Sequence, residues 1–245
     1  MSTNAKTPGS PLPFVLINMA MTADGKIATA NRAVHSFGSA RDLRHLYELR
    51  ATADAIICGA RTVEISRSIL DNGGPAFTRR RLKHGLAAYN LRVIVSGSGM
   101  IDPGAEIFRK RFSPIIVLTT ARITKINRRK LQNAGAEVKI FGRTRLDFPA
   151  ALRWLRAKWH VKRLLCEGGG ELNEALFRAD LVDEIHLTIC PKIFGGRTAP
   201  TIADGSGFPG LAHAKKFELT SIHEFEAELF TTFSRLNSRQ RCQVY

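Results

Sequence analysis

Short apolar runs alternate with amphipathic stretches along most of the chain. Residues 14–21 are apolar apart from Asn18, and the TADGK turn follows, with Asp24-Gly25 supplying a sharp reversal, so a buried strand and turn are expected. Ser39 precedes ARDLRHLYELRA, where Leu43, Leu46 and Leu49 recur at helical spacing; this predicts an amphipathic helix with Ser39 as N-cap. ADAIICG at 53–59 is another strand-length run, giving strand, helix and strand in the order of a parallel crossover.

The alternation continues. LRVIVSG at 91–97 and SPIIVLTT at 113–120 read as buried strands, followed by a helix over 123–133, a strand over 138–141, a helix over 148–159 and a strand over 161–166. A short helix over 172–177 and a strand over 182–190 come next, and Pro191 ends that strand because it has no N–H to donate. Residues 217–222 and 227–233 have no long helix between them, which predicts two late antiparallel strands and a mixed sheet. The segment 66–89, with Gly73-Gly74-Pro75 and an arginine run, reads as a mobile loop.

Length and composition narrow the class. A chain of 245 residues that is 44% hydrophobic can bury one full core, and the reading is a polar lead over 1–12, a single domain over 13–236 and a flexible tail over 237–245. No run approaches the ~20 apolar residues of a membrane helix. The N-terminus lacks an apolar core of signal-peptide type, so a cytoplasmic protein is expected. Cys58, Cys166, Cys190 and Cys242 form no C-x-x-C pair, and neither disulfides nor a metal is suggested. The net charge of +16 favours polyanions near the surface. The runs Arg79-Arg80-Arg81, Arg109-Lys110-Arg111 and Arg128-Arg129-Lys130 lie apart and carry no interleaved aromatics for stacking bases, so each reads as solvated surface and nucleic acid is not the expected partner.

The chemistry concentrates at VKRLLCEGGGELNEALF. Three glycines between a strand and a helix let an anion approach the backbone closely, where the helix start offers unpaired N–H groups. The cluster lies two-thirds along the chain, so it is not the G-x-G-x-x-G that opens a Rossmann domain, and no Lys-Ser or Lys-Thr follows to make a Walker loop. Glu167 stands at the strand end before the glycines, placed either to bond an aminopyrimidine or ribose hydroxyl or simply to face solvent. Asp24 reads as a substrate-orienting acid or a turn residue, Thr62 as a phosphate or ribose ligand or a helix cap, and Arg50 as a substrate-phosphate ligand or a partner of its own helix dipole. No G-x-S-x-G elbow and no metal-spaced histidines occur; hydride transfer, which needs chiefly alignment from the protein, fits that scarcity.

Taken in order, NMAMTADGKIA, LRATADAIICGARTV, LRVIVSG and CEGGGELNEALFRADLVDEIHLTICPKIFGG resemble the reductase family of riboflavin biosynthesis, the C-terminal domain of the bacterial deaminase-reductase. The resemblance implies a dihydrofolate-reductase-like α/β fold with a mostly parallel mixed sheet, a homodimer, and NADPH-dependent reduction of a diaminopyrimidinone ribosylamino 5′-phosphate to its ribitylamino product. By position, Ala20, Thr62, Ser66, Ser96, Gly169, Gly170, Glu171, Leu172 and Asn173 would line NADPH, while Glu167, Leu70, Arg50 and Asp24 would face substrate. No proton donor is identified. The chain departs from the family where D-N-P-x-L-T-x-R is usual: here residues 66–73 read SRSILDNG, and only Leu70 is kept. One of Arg67, Arg79, Arg80 and Arg81 would replace the lost phosphate contact, and Ser36 stands where a tryptophan is frequent. The deaminase signatures H-x-E and P-C-x-x-C are absent. The altered segment leaves open a reductase of another, pterin-like heterocycle, and the charge leaves open a nucleic-acid-binding module.

Overall fold

The computed structural model describes residues 11–32 and 37–236. The expectations for the lead before residue 11, for Ser36, for Cys242 and for the tail from 237 lie outside the described residues.

Nine strands form one sheet in the order β5-β4-β3-β2-β6-β1-β7-β9-β8. They are β1 (Phe14–Thr22), β2 (Ala55–Gly59), β3 (Leu91–Val95), β4 (Ile115–Thr119), β5 (Ala136–Ile140), β6 (Arg163–Cys166), β7 (Glu184–Cys190), β8 (Phe217–Phe225) and β9 (Glu228–Arg235). From β5 to β7 every pairing is parallel. Strand β9 pairs antiparallel with both β7 and β8, so it alone runs against the others. The expected mixed, mostly parallel sheet with late antiparallel strands is therefore what the chain forms. The last hairpin turns at Glu226 and Ala227, both with positive φ, so Ala227 belongs to the turn and not to the strand where the sequence had put it.

The inner strands are continuous apolar runs because helices cover both their faces: β2, β3 and β4 are buried almost throughout, whereas the edge strand β5 alternates. On one face lie α6 (Phe148–Trp159) and α7 (Gly170–Arg178). Helix α6 turns Phe148, Ala151, Leu152 and Leu155 inward onto Val15, Ile17, Ile57 and Val93. On the other lie α1 (Ala40–Arg50), α2 (Ala60–Ser66), the single turn α4 (Glu106–Arg109) and α5 (Lys125–Asn133), supplying Leu49, Val63, Ile107 and Leu131 to a second core with Leu16, Ile56 and Val117. Ser39, Thr124 and Asp147 cap α1, α5 and α6 through side-chain oxygens.

The segment 66–89 is not the expected mobile loop. It contains α3 (Pro75–Lys83), and it is anchored by the buried side chains of Leu70, Asn72 and Arg81. Arg81 is wholly buried, which corrects its reading as surface charge. A polar sequence folds inward here because most of its polar atoms find partners: Asn72 Nδ2 donates to Thr78 Oγ1 and to the Ala88 carbonyl, and Arg81 Nε to the Ala87 carbonyl, while Arg81 Nη2 is buried without one.

Helix α6 ends on His160 in the left-handed region, φ 54°. A glycine adopts that conformation without a Cβ clash, so His160→Gly should raise unfolding stability by about 0.5–1 kcal/mol in urea denaturation. A loss of stability would show that the His160 side chain contributes more than its backbone costs.

Candidate active site

The chain runs outward from β2 to β5 and then returns through α6 to insert β6 between β2 and β1. Such a switch point leaves a crevice at the carboxyl ends of the strands, where open α/β sheets hold ligands. The glycine cluster opens into it. Strand β6 is only four residues long, its Cys166 level with Ile17 of β1 and Ile57 of β2. The chain leaves it while β1 still continues to Thr22.

The three glycines have three different reasons. Gly168 has φ +74°, and a Cβ there would stand 2.8 Å from Met19 Sδ. Gly170 opens α7 under the following loop, and a Cβ would stand 2.4 Å from the Thr201 carbonyl oxygen. Gly169 has room: the nearest atom to an added Cβ is Thr62 Oγ1 at 3.7 Å. The close approach that an anion requires is thus available at Gly169, the N-cap of α7, which carries no capping side chain.

A second helix start lies beside it. Helix α2 begins after Gly59, again without a side-chain cap, and the Gly59 N–H donates to the Gly168 carbonyl at 2.8 Å, tying the two turns together. Two uncapped N-termini therefore share one crevice, with their first amides unpaired by the helices themselves. Thr62 faces Gly169, and Arg61 and Glu171 bridge the two helices at 3.6 Å on the exposed rim. This arrangement can hold a phosphate or diphosphate.

The other expected site residues divide. Ala20 is half-buried on β1, level with Thr188, and Ser96 is buried at the end of β3. Ser66 lies exposed at the far end of α2 and donates its hydroxyl hydrogen to the Thr62 carbonyl. Leu172 and Asn173 point inward. Leu172 joins the core, while Asn173 is fully buried, donates to the Ile202 carbonyl at 2.8 Å and accepts from the Cys166 thiol. Their side chains hold the helix, and Gly169, Gly170 and Glu171 are left to present amides. Leu70, at φ 54° and 1% exposed, is likewise a core side chain and not an open substrate contact.

Glu167 does not face solvent alone. Arg50 donates Nε and Nη2 to its two carboxylate oxygens, each at 2.7 Å, and Nη1 to the Asp71 carbonyl at 2.7 Å. Both side chains are largely buried, at 6% and 11% exposure. Burial opposes the charge on Arg50, but the Glu167 carboxylate outweighs it and holds the guanidinium pKa above its ordinary value. Arg50 is thus committed to Glu167 and Asp71, which corrects its reading as an open phosphate ligand. Asp24 is a turn organiser: it accepts from the Thr22 hydroxyl and from the amides of Phe194 and Gly195, and these bonds, that of Thr22 foremost, lower its pKa.

Asn18 was the one polar residue in an apolar strand, and that was the available signal for it. It is 8% exposed on the same sheet face as Glu167, and its Oδ1 meets no partner among the described residues. At the start of α1, Glu228 accepts from both the N–H and the hydroxyl of Ser39, and Asp42 Oδ1 is buried and makes no hydrogen bond of ordinary geometry among the described residues. Burial raises the Asp42 pKa and the Glu228 charge adds to it, the neighbouring Thr188 hydroxyl opposing them in part. Among the described residues no group of three or more His, Cys, Asp or Glu could hold a metal ion, and no helix is long and apolar enough to cross a membrane.

Fold and site together define an open-sheet α/β protein with two uncapped helix starts in a crevice at its topological switch. The chain belongs to the RibD C-terminal domain family, whose family model matches residues 13–231; this is the family that the residue pattern resembles. It is 32% identical over 226 residues to the 2,5-diamino-6-ribosylamino-4(3H)-pyrimidinone 5′-phosphate reductase of Methanothermobacter thermautotrophicus, covering 91% of this chain and 98% of that one. It is 33% identical over 206 residues to the enzyme of the same name from Archaeoglobus fulgidus, covering 84% and 93%. Among solved structures, a pyrimidine reductase-like protein of Corynebacterium diphtheriae shares the fold at TM-score 0.79 and 21% identity over 92% of each chain.

Two substitutions test the geometry. Gly170→Ala should lower stability by about 1–3 kcal/mol through its clash with the Thr201 carbonyl, whereas Gly169→Ala should leave the melting temperature nearly unchanged and weaken anion binding. The opposite ranking would place the open glycine elsewhere. Asp42 gives a pH test. Its folded pKa is raised, so the stability that it contributes is present below its ordinary 3.8 and lost as pH rises through the folded value. Asp42→Asn should therefore raise the melting temperature relative to the parent more at about pH 7 than at about pH 4; an equal gap at both would refute the assignment.

Proposed function

We propose that this protein is an NADPH-dependent reductase of riboflavin biosynthesis. It reduces the ribosylamino group of a diaminopyrimidinone ribose 5′-phosphate to the ribitylamino product. The observation that carries the reading is the pair of uncapped helix starts joined by the Gly59–Gly168 hydrogen bond, in a chain whose relatives bear that enzyme's name along nearly their whole length.

The residues present fit the cofactor. The amides of Gly169, Gly170 and Glu171 would hold the diphosphate with Thr62, and the space over Gly169 is what a Cβ would fill. Ala20 on β1 and Ser96 after β3 would line the same cofactor. NADPH, when bound, supplies the hydride for C1′ of the opened sugar imine. Glu167 would accept hydrogen bonds from the amino-pyrimidinone edge, with Arg50 keeping it oriented. Asn18, its carbonyl oxygen buried and unpartnered, would take a second donor from the same ring. The substrate phosphate falls to Arg67, Arg79 or Arg80, which are exposed; Arg81 is ruled out by its burial. The same reading makes the protein a cytoplasmic homodimer.

The test is a fluorescence titration with NADPH, then loss of the reduced-nicotinamide absorbance on adding the ribotide. Tight NADPH binding and turnover are expected, and Glu167→Gln should lower kcat/KM by about tenfold or more. Turnover of a dihydropterin in place of the ribotide would reassign the substrate, to which the altered 66–73 segment gives an opening. Absence of NADPH binding would remove the reductase reading altogether, and binding to an oligonucleotide that falls steeply with salt would then favour a nucleic-acid module.

A further inference from the structure

Arg81 is a wholly buried cation, and among the described residues no carboxylate pairs with it. Burial pulls its pKa down to about 10. The Asp54 charge offsets part of that, Nη2 is buried without a partner, and the hydrogen bonds that Nε and Nη1 make go to backbone. Nη1 donates to the Arg50 carbonyl at 2.6 Å and to the Ala53 carbonyl at 2.7 Å. Asn90 Nδ2 donates to the same two oxygens at 2.9 and 2.7 Å. Four N–H contacts thus converge on two carbonyls at and just past the C-terminus of α1, where the helix dipole is negative.

The residue pinned in this way is the one whose side chain meets Glu167. The Arg50 carbonyl is held by Arg81 and Asn90, while its guanidinium is held by Glu167 and by the Asp71 carbonyl, which belongs to the same 71–90 segment. Gly73 lets that segment close against α1, since a Cβ there would stand 2.3 Å from the Tyr47 ring. The Tyr47 ring in turn lies 5.4 Å from the Arg50 guanidinium. The 71–90 segment therefore wraps the end of α1 and fixes Arg50 at both ends.

We infer that Arg81, helped by Asn90, is a positioning residue for the reductase site: it sets where Arg50 stands and, through Arg50, how the Glu167 carboxylate is presented. This rests on the proposed reading in which Glu167 meets the substrate. Arg81 touches neither substrate nor cofactor, so its loss acts on substrate kinetics and leaves NADPH affinity alone. A lysine keeps the charge but has no planar fork to span two carbonyls and still reach Ala87.

The experiment is a double-mutant cycle in the full chain. Arg81→Lys and Asn90→Ala are each made alone and combined with Glu167→Gln, and kcat, KM for the ribotide, NADPH Kd and melting temperature are measured for all. The expected result is that Arg81→Lys lowers kcat/KM by about tenfold with unchanged NADPH Kd, yet changes it by less than about twofold when Glu167 is already glutamine. Asn90→Ala, the milder change, should follow the same pattern and decides the matter if Arg81→Lys does not fold. Additive losses in the Glu167→Gln background would overturn the inference and leave the function intact. If Glu167→Gln alone has no kinetic effect while the parent turns over, the route through Glu167 fails. If the parent neither binds NADPH nor turns over, the functional reading itself has failed.

Discussion

Strand β6 is four residues long and stands between two neighbours that continue past it, and much of the site follows from that. Leaving the sheet at Cys166, the chain has to turn in the interior, against Met19 of β1 on one side and the β2–α2 turn on the other. Only a residue without Cβ fits at 168, and only one with left-handed freedom makes the turn. The hydrogen bond from Gly59 then brings two helix starts together, so both partial positive charges point into one crevice. The insertion of one strand into a parallel sheet thus determines where an anion can bind.

The crevice is polar, and its polar groups are fixed and not free. Burying Glu167 and Arg50 separately would cost several kcal/mol each; as a two-toothed pair backed by the Asp71 carbonyl they hold their charges at 2.7 Å. Such a pair adds little to net stability, but breaking it strands a buried charge, at a cost of about 3–5 kcal/mol. The fold therefore resists rearrangement at the point where a ring would be read, which suits an enzyme whose main task is alignment. By contrast, the Arg61–Glu171 pair at the rim is exposed and can part when an anion enters.

Most of the scaffold was legible because its signals are local. Continuous apolar runs fixed β2, β3 and β4; the spacing of Phe148, Ala151, Leu152 and Leu155 fixed α6; Ser39 fixed the start of α1. The glycine cluster was legible as an anion site, but its division of labour was not, because whether Met19, Thr62 or Thr201 comes near a given glycine is a tertiary matter. The 66–89 segment was misread for a related reason. Glycines and arginines signal an exposed loop when judged by composition, yet Arg81 and Asn90 are buried because two carbonyls 28 and more residues away in sequence await them. Polar burial depends on partners, and partners are not written in the local pattern. Leu172, Asn173 and Leu70 follow the same rule from the other side: adjacency to the site in sequence did not decide which way their side chains point.

The large positive charge then takes a limited role. Arg50 is matched with Glu167 and Arg61 with Glu171, and much of the excess lies away from these pairs. Arg122, Lys125, Arg128, Arg129, Arg143, Arg145 and Arg153 are exposed around the β5 side of the sheet, several strands from the glycine turn. At that distance, beyond a Debye length of about 8 Å at physiological salt, they cannot set the affinity of a bound phosphate. They can raise the encounter rate of a polyanionic cofactor and a phosphorylated substrate at low ionic strength. Charge of this kind attracts many anions alike. Under the proposed function, discrimination among them falls to the uncapped amides around Gly169 and the fixed carboxylate of Glu167.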